Sequence, residues 1–149
     1  MLQPVDKLKI RLSFVGNPVI GVPAPTKVEH ELSSSDLRVQ YDVQVGVDRT
    51  SSMVEINVLM VYLNKKDVLF SGTLTSRFEV FNLASYITVI DNEDAFRLEN
   101  DFFPMLISIA FGNTRGYFAR ELVGTVLEPY PFPMISMESI RKKTSYELK

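Results

Sequence analysis

The chain has 149 residues, 46% hydrophobic and 23% charged, with a formal net charge of −2. That composition fits a globular unit able to bury a sizeable core and excludes global disorder. The only like-charge runs, Lys65-Lys66 and Arg141-Lys142-Lys143, are too short to make nucleic acid the main partner.

The chain contains no cysteine, which removes disulfides, thiolate nucleophiles and cysteine metal sites and is compatible with a reducing compartment. Its start, MLQPVDKLKIRLSF, is charged and alternating, where a signal peptide needs a basic segment followed by an apolar run. Even FFPMLISIAFG falls short of the roughly 18 apolar residues of a membrane span. The expectation is one cytoplasmic domain over residues 1–149 with no membrane insertion.

Residues 8–14 put Leu8, Ile10, Leu12 and Phe14 on one side and Lys9, Arg11 and Ser13 on the other, the alternation of a half-buried strand. NPVIGVPAP then breaks it, yet Val19, Ile20 and Val22 stay apolar, which predicts an edge or extended segment lying on the fold. HELSSSD reads as a solvated loop. Alternation returns in LRVQYDVQVGV, in MVEINVLMVYL and in DVLFSGTLTSRFEVF, joined by the turns DRTSS and NKKD. Strands joined this closely are antiparallel neighbours, and Asp42, Gln44, Asn57, Thr73, Thr75 and Arg77 mark one face as polar.

After Phe81 the chain leaves the sheet through a crossover carrying Tyr86, Ile87, Val89 and Ile90. The period then changes. Phe103, Leu106, Ile107, Ala110, Phe111, Thr114, Tyr117 and Phe118 recur at three- and four-residue spacings, an amphipathic helix with Asp101 near its start, Pro104 in its first turn and Gly124 as its stop. Gly112 and Gly116 inside it each cost about 1 kcal/mol against alanine, so both are expected to admit another backbone. EPYPFPMIS, with three prolines in nine residues, must run as a stiff extended linker. Ser136 then caps a last short helix, SMESIRKKTSYELK.

Little in the sequence suggests catalysis. His30 is the sole histidine and sits in a polar loop, and no nucleophile elbow or phosphate loop is present. Glu93, Asp94, Glu99 and Asp101 read as the polar approach to a helix N-terminus, Arg115 and Arg120 as surface ion-pairing groups. The expectation is no enzyme, no metal and no cofactor. The unusual feature is the supply of apolar residues outside regular elements: Val19, Ile20 and Val22; Tyr86, Ile87 and Val89; Tyr130, Phe132 and Met134. They either complete a thin core and an oligomer interface, or line a groove for extended apolar polypeptide.

The order of these elements resembles the SecB-like family of export chaperones over nearly the whole chain. The pieces that carry the likeness are LRVQYDVQV, VEINVLMVYLNKKDVLFSGTLTSRFEVFNL, and FFPMLISIAFGNTRGYFAREL followed by FPMIS. The resemblance implies an α+β fold, a four-stranded antiparallel sheet packed against a long helix and a short C-terminal helix. It also implies an ATP-independent holdase that assembles as a homodimer or homotetramer and binds unfolded client polypeptide. Groove positions carried over from the family fall on Val39, Tyr41, Val43, Tyr86, Ile87 and Ile140; Phe132 and Met134 are added on physical grounds. Val19, Pro23 and Gly72 stand where the family has its acidic SecA dock, and the tail KKTSYELK is mixed in charge. These departures argue against general SecA-dependent export and for a narrower client, such as an antitoxin. The alternatives are a non-enzymatic oligomeric interaction module and a small-molecule-binding α+β domain.

Overall fold

The computed structural model describes residues 9–26, 32, 35–89, 96–98 and 102–148. His30 and the acidic residues Glu93, Asp94, Glu99 and Asp101 lie outside them, as does Ile90. In chain order the elements are β1 (Ile10–Val22), β2 (Leu37–Asp48), β3 (Met53–Asn64), β4 (Asp67–Val80), a 3-10 turn (Leu83–Tyr86), β5 (Ile87–Val89), β6 (Phe96–Leu98), α1 (Phe102–Glu121), α2 (Met137–Lys143) and β7 (Thr144–Leu148). The fold is α+β, but the main sheet is five-stranded and mixed, in the order β1-β4-β3-β2-β7, where four antiparallel strands are expected from sequence.

The expected meander forms. β2 and β3 pair without a shift from Leu37↔Asn64 to Asp48↔Met53, and β4 follows β3. Residues of one parity (Val43, Val45, Val47, Val54, Ile56, Val58, Met60) are buried beneath α1 and its neighbours. The other face is polar. There Arg77 Nε donates to Glu55 Oε2 at 2.7 Å, and Thr75 Oγ1 donates to Asn57 Oδ1, a mutual pairing that leaves Thr75 buried on the outer side.

β1 joins the two segments separated in the sequence reading into one strand. It lies at the sheet edge and pairs with β4 through three register shifts. Pro18 falls in the shift between Gly16 and Val19, where an edge strand loses no ladder bond to a missing N–H. The first shift also overturns the simple alternation. Leu12 stands opposite Phe78 but Phe14 stands opposite Arg77, so the Phe14 ring crosses to the polar face and lies 4.8 Å from the Arg77 guanidinium.

α1 lies against β3 and β4 and buries Phe103, Leu106, Ile107, Ala110, Phe111, Thr114 and Phe118. Tyr117 turns to the flank and stays partly exposed. Gly124 follows the helix in the left-handed region, φ 79°, where glycine carries no steric cost. The C-terminal helix is shorter than the sequence suggests. Ser136 caps it, its Oγ accepting from Ser139 N–H at 3.2 Å, but the helix stops at Lys143. Thr144 Oγ1 donates to Ile140 O at 2.7 Å, and the β-prone run that follows pairs with β2 as the parallel strand β7.

Candidate functional site: a groove between the long helix and the proline strap

The strap is only partly extended. Tyr130 N–H donates to Leu127 O at 2.9 Å, closing a turn that contains Glu128 and Pro129. Glu128 ties this turn back to the end of α1, its Oε2 accepting from Gly124 N–H at 3.1 Å. The stretch without regular structure runs from Pro131 to Ser136, ending where α2 is capped.

Two side chains and one ring hold the strap in place. Tyr62 Oη donates to Tyr130 O at 2.8 Å, and Arg115 Nε donates to Phe132 O at 3.0 Å. Burial pushes the Tyr62 phenol up to about 12, against a smaller lowering by Arg115. Between these bonds the Phe132 ring enters the core, meeting Tyr62 and Phe111 edge to face at centroid distances of 5.6 and 6.0 Å. Phe111 meets Tyr41 in the same way at 5.6 Å. Such contacts contribute about 0.5–1.5 kcal/mol each beyond area burial, so the strap is a rigid wall.

Where the strap passes α1 it leaves a groove of about 210 Å³. Phe111, Gly112 and Ile140 line it from the helices, and Ser108 and Arg115 flank it. An ideal Cβ on Gly112 would meet no described atom within 4 Å. The missing side chain therefore opens the groove; no described backbone approaches either Gly112 or Gly116, contrary to expectation within the subunit. Met134 stands on the strap side, 84% exposed, an unbranched thioether free to adapt its shape.

The eight residues singled out from sequence do not form one surface. Met134 and Ile140 line the groove, Ile140 as a buried floor with 2% exposure. Val39 and Tyr41 are half-buried on β2, Tyr41 joined to the groove through Phe111. Val43 and Phe132 are corrections. Val43 points into the sheet–helix core with no exposed surface, and Phe132, 5% exposed, is the strap's internal anchor. Tyr86 and Ile87 pack half-buried against the core beyond the end of β4, and neither lines the groove. Ser108, Phe111, Arg115, Ile135 and Met137 were missed. The glycine in mid-helix was the available signal for them, since it marks where α1 presents bare backbone.

A second depression, about 400 Å³, lies on the polar face above Gly46. Its polar groups include the Arg77–Glu55 pair and Asn57, which accepts from Thr75. Among the described residues no group of histidine and acidic side chains is arranged to hold a metal, and no helix is long and apolar enough to cross a membrane.

No protein-family model matches the chain, and no curated protein matches it either. Among solved structures, the chain is similar to a SecB-like chaperone of Mycobacterium tuberculosis in complex with a ChAD peptide from an antitoxin. The match has a TM-score of 0.47 and 11% sequence identity, and covers 85% of this chain and 91% of that one.

Proposed function

We propose that this chain is an ATP-independent holdase that binds non-native polypeptide in the cytoplasm, serving a dedicated client such as an antitoxin or an exported protein. The observation that carries the reading is Met134, held in water beside an apolar floor by a strap that cannot relax. A side chain of that size exposed on a rigid scaffold costs hydration that an apolar client relieves, about 25 cal/mol per Å² covered. Adaptable methionine suits clients of varied sequence, and holding a chain out of aggregation makes and breaks no bond, so the proposal includes no catalytic group and no cofactor. SecA has no role in it. The test is light scattering of a denatured client diluted into buffer with and without this protein. Suppression near stoichiometric ratios is expected, and full aggregation at excess protein contradicts it.

A second reading, self-association, is favoured by the outward side of α1. Met105 and Ile109 are 47% and 39% exposed there, beside Gly116 and Ala119, so the helix is apolar or small on both sides. Such helices are ordinarily buried all round. Leu12, Val15 and Ile20 of β1 are exposed on the same side of the sheet, opposite Phe78, Ser76 and Gly72. A homodimer or homotetramer closed through this surface leaves the strap groove free, and the two readings combine.

A further inference from the structure

The chain has no cysteine, so thioether sulfurs are its only soft nucleophiles. Among the five described methionines Met60 is sealed in the core, Met53 and Met137 are half-buried, Met105 is 47% exposed and Met134 84%. Met134 is held outward by its neighbours. Tyr62 Oη donates to Tyr130 O, Arg115 Nε donates to Phe132 O, and the Phe132 ring already fills the inward place two residues earlier. Pro133 between them fixes φ, so the strap cannot turn Met134 inward without losing one of these contacts.

Arg115 lines the same groove as Met134, and its guanidinium is oriented by the bond from Nε to Phe132 O at 3.0 Å. Neither ion pair among the described residues includes it. Its terminal nitrogens are strong donors, and a thioether is a poor acceptor for them. A sulfoxide is a good one. Oxidation of Met134 therefore changes two things at once: it removes apolar surface from the groove and gives the side chain a charged donor to bond across it.

We propose that Met134 is a reversible oxidation site for small hydroperoxides, and that its sulfoxide closes the groove to client. The inference rests on the chaperone reading and adds a regulator to the same groove. With hydrogen peroxide, the sulfur lone pair attacks one oxygen and an S–O bond forms as the O–O bond breaks. The displaced hydroxide takes the proton of the transferred oxygen and leaves as water; sulfur loses two electrons and the peroxide gains them. A thiol-dependent methionine sulfoxide reductase reverses the step, two thiols becoming a disulfide and the oxygen leaving as water. In the oxidised state the sulfoxide oxygen accepts from Arg115 and draws the side chain over the buried Ile140 floor. An apolar client then has to displace that bond and cover a polar group.

The probe is hydrogen peroxide, titrated onto the folded protein, with the sites of oxygen addition read by fragment-ion mass spectrometry. Met134 is expected to reach half-oxidation before Met105, Met137, Met53 and Met60; any of these ahead of it overturns the proposal. Protein oxidised at Met134 is expected to be needed in roughly fivefold greater amount for half-suppression of client aggregation. The pair of methionine sulfoxide reductases, one for each epimer, should restore the starting value with dithiothreitol. The urea midpoint should not move, because the side chain is in water; a fall in it assigns the loss to unfolding and contradicts the switch. Met134→Leu supplies the attribution: whatever its own level of suppression, peroxide should leave that level unchanged. An equal loss in that variant, or none in the parent once Met134 is oxidised, overturns the switch and leaves the chaperone reading standing. Failure of the untreated protein to suppress aggregation overturns both.

Discussion

The Tyr62 hydroxyl donates to the Tyr130 carbonyl at 2.8 Å, tying the middle of the sheet to the start of the strap. One phenol thus links a strand read from its alternation to the proline segment. The groove exists because this bond, the Arg115–Phe132 bond and the buried Phe132 ring fix the strap's distance from α1.

Removing that bond has a pH signature. The Tyr62 phenol is raised from 10.0 to about 12, so folding favours its neutral form. Its contribution is fully present below pH 10 and is lost as pH rises through 12, at most about 3 kcal/mol in all. Tyr62→Phe is expected to cost about 1 kcal/mol at neutral pH. It should also flatten the fall in stability between pH 10 and 12 relative to the parent, read by urea unfolding across that range.

Gly72 is a packing residue. An ideal Cβ on it would lie 2.5 Å from Cζ of Phe118 and 3.0 Å from Cζ of Phe70, two rings in mutual contact at 5.3 Å. Gly72→Ala is expected to destabilise by about 1–3 kcal/mol through overpacking. Phe118→Leu in the same chain should recover part of that loss, a non-additivity that a double-mutant cycle measures.

Substitution of Met134 separates binding from stability. The side chain is largely in water, so Met134→Asp should shift unfolding by no more than about 0.5 kcal/mol. In the aggregation assay the same variant should need several-fold more protein for half-suppression. Ser108→Trp, which fills the groove from the helix side, should do likewise.

The outward side of α1 predicts its own phenotype. Ile109→Glu places a charge where a second copy would pack, and the sedimentation coefficient should drop to that of a smaller species. Met134→Asp should leave the assembly unchanged.

Legibility from sequence followed the locality of the cause. β2, β3 and the buried row of α1 are set by periodicity within one element, and they form as the sequence predicts except at Tyr117, which stays exposed. Phe14 defeated the alternation because a bulge depends on what β4 presents opposite it. The charges of the C-terminal segment predict helix, while its conformation is decided by the edge of β2 about a hundred residues earlier. Phe132 and Met134 sit two apart in one strap, and nothing local says which enters the core. That choice depends on Tyr62 and Phe111, which receive the ring.

The chain's six methionines supply the most direct test. Met134 and Met137 line the strap groove, Met60 is in the core, Met53 lies at the polar-face depression and Met105 on the outward side of α1. Titration of ¹³C-methyl-methionine protein with an unfolded client should shift the Met134 and Met137 resonances first and leave the core Met60 in place. Shifts confined to Met105, or an unchanged spectrum at client concentrations that saturate binding, would contradict a client groove under the strap.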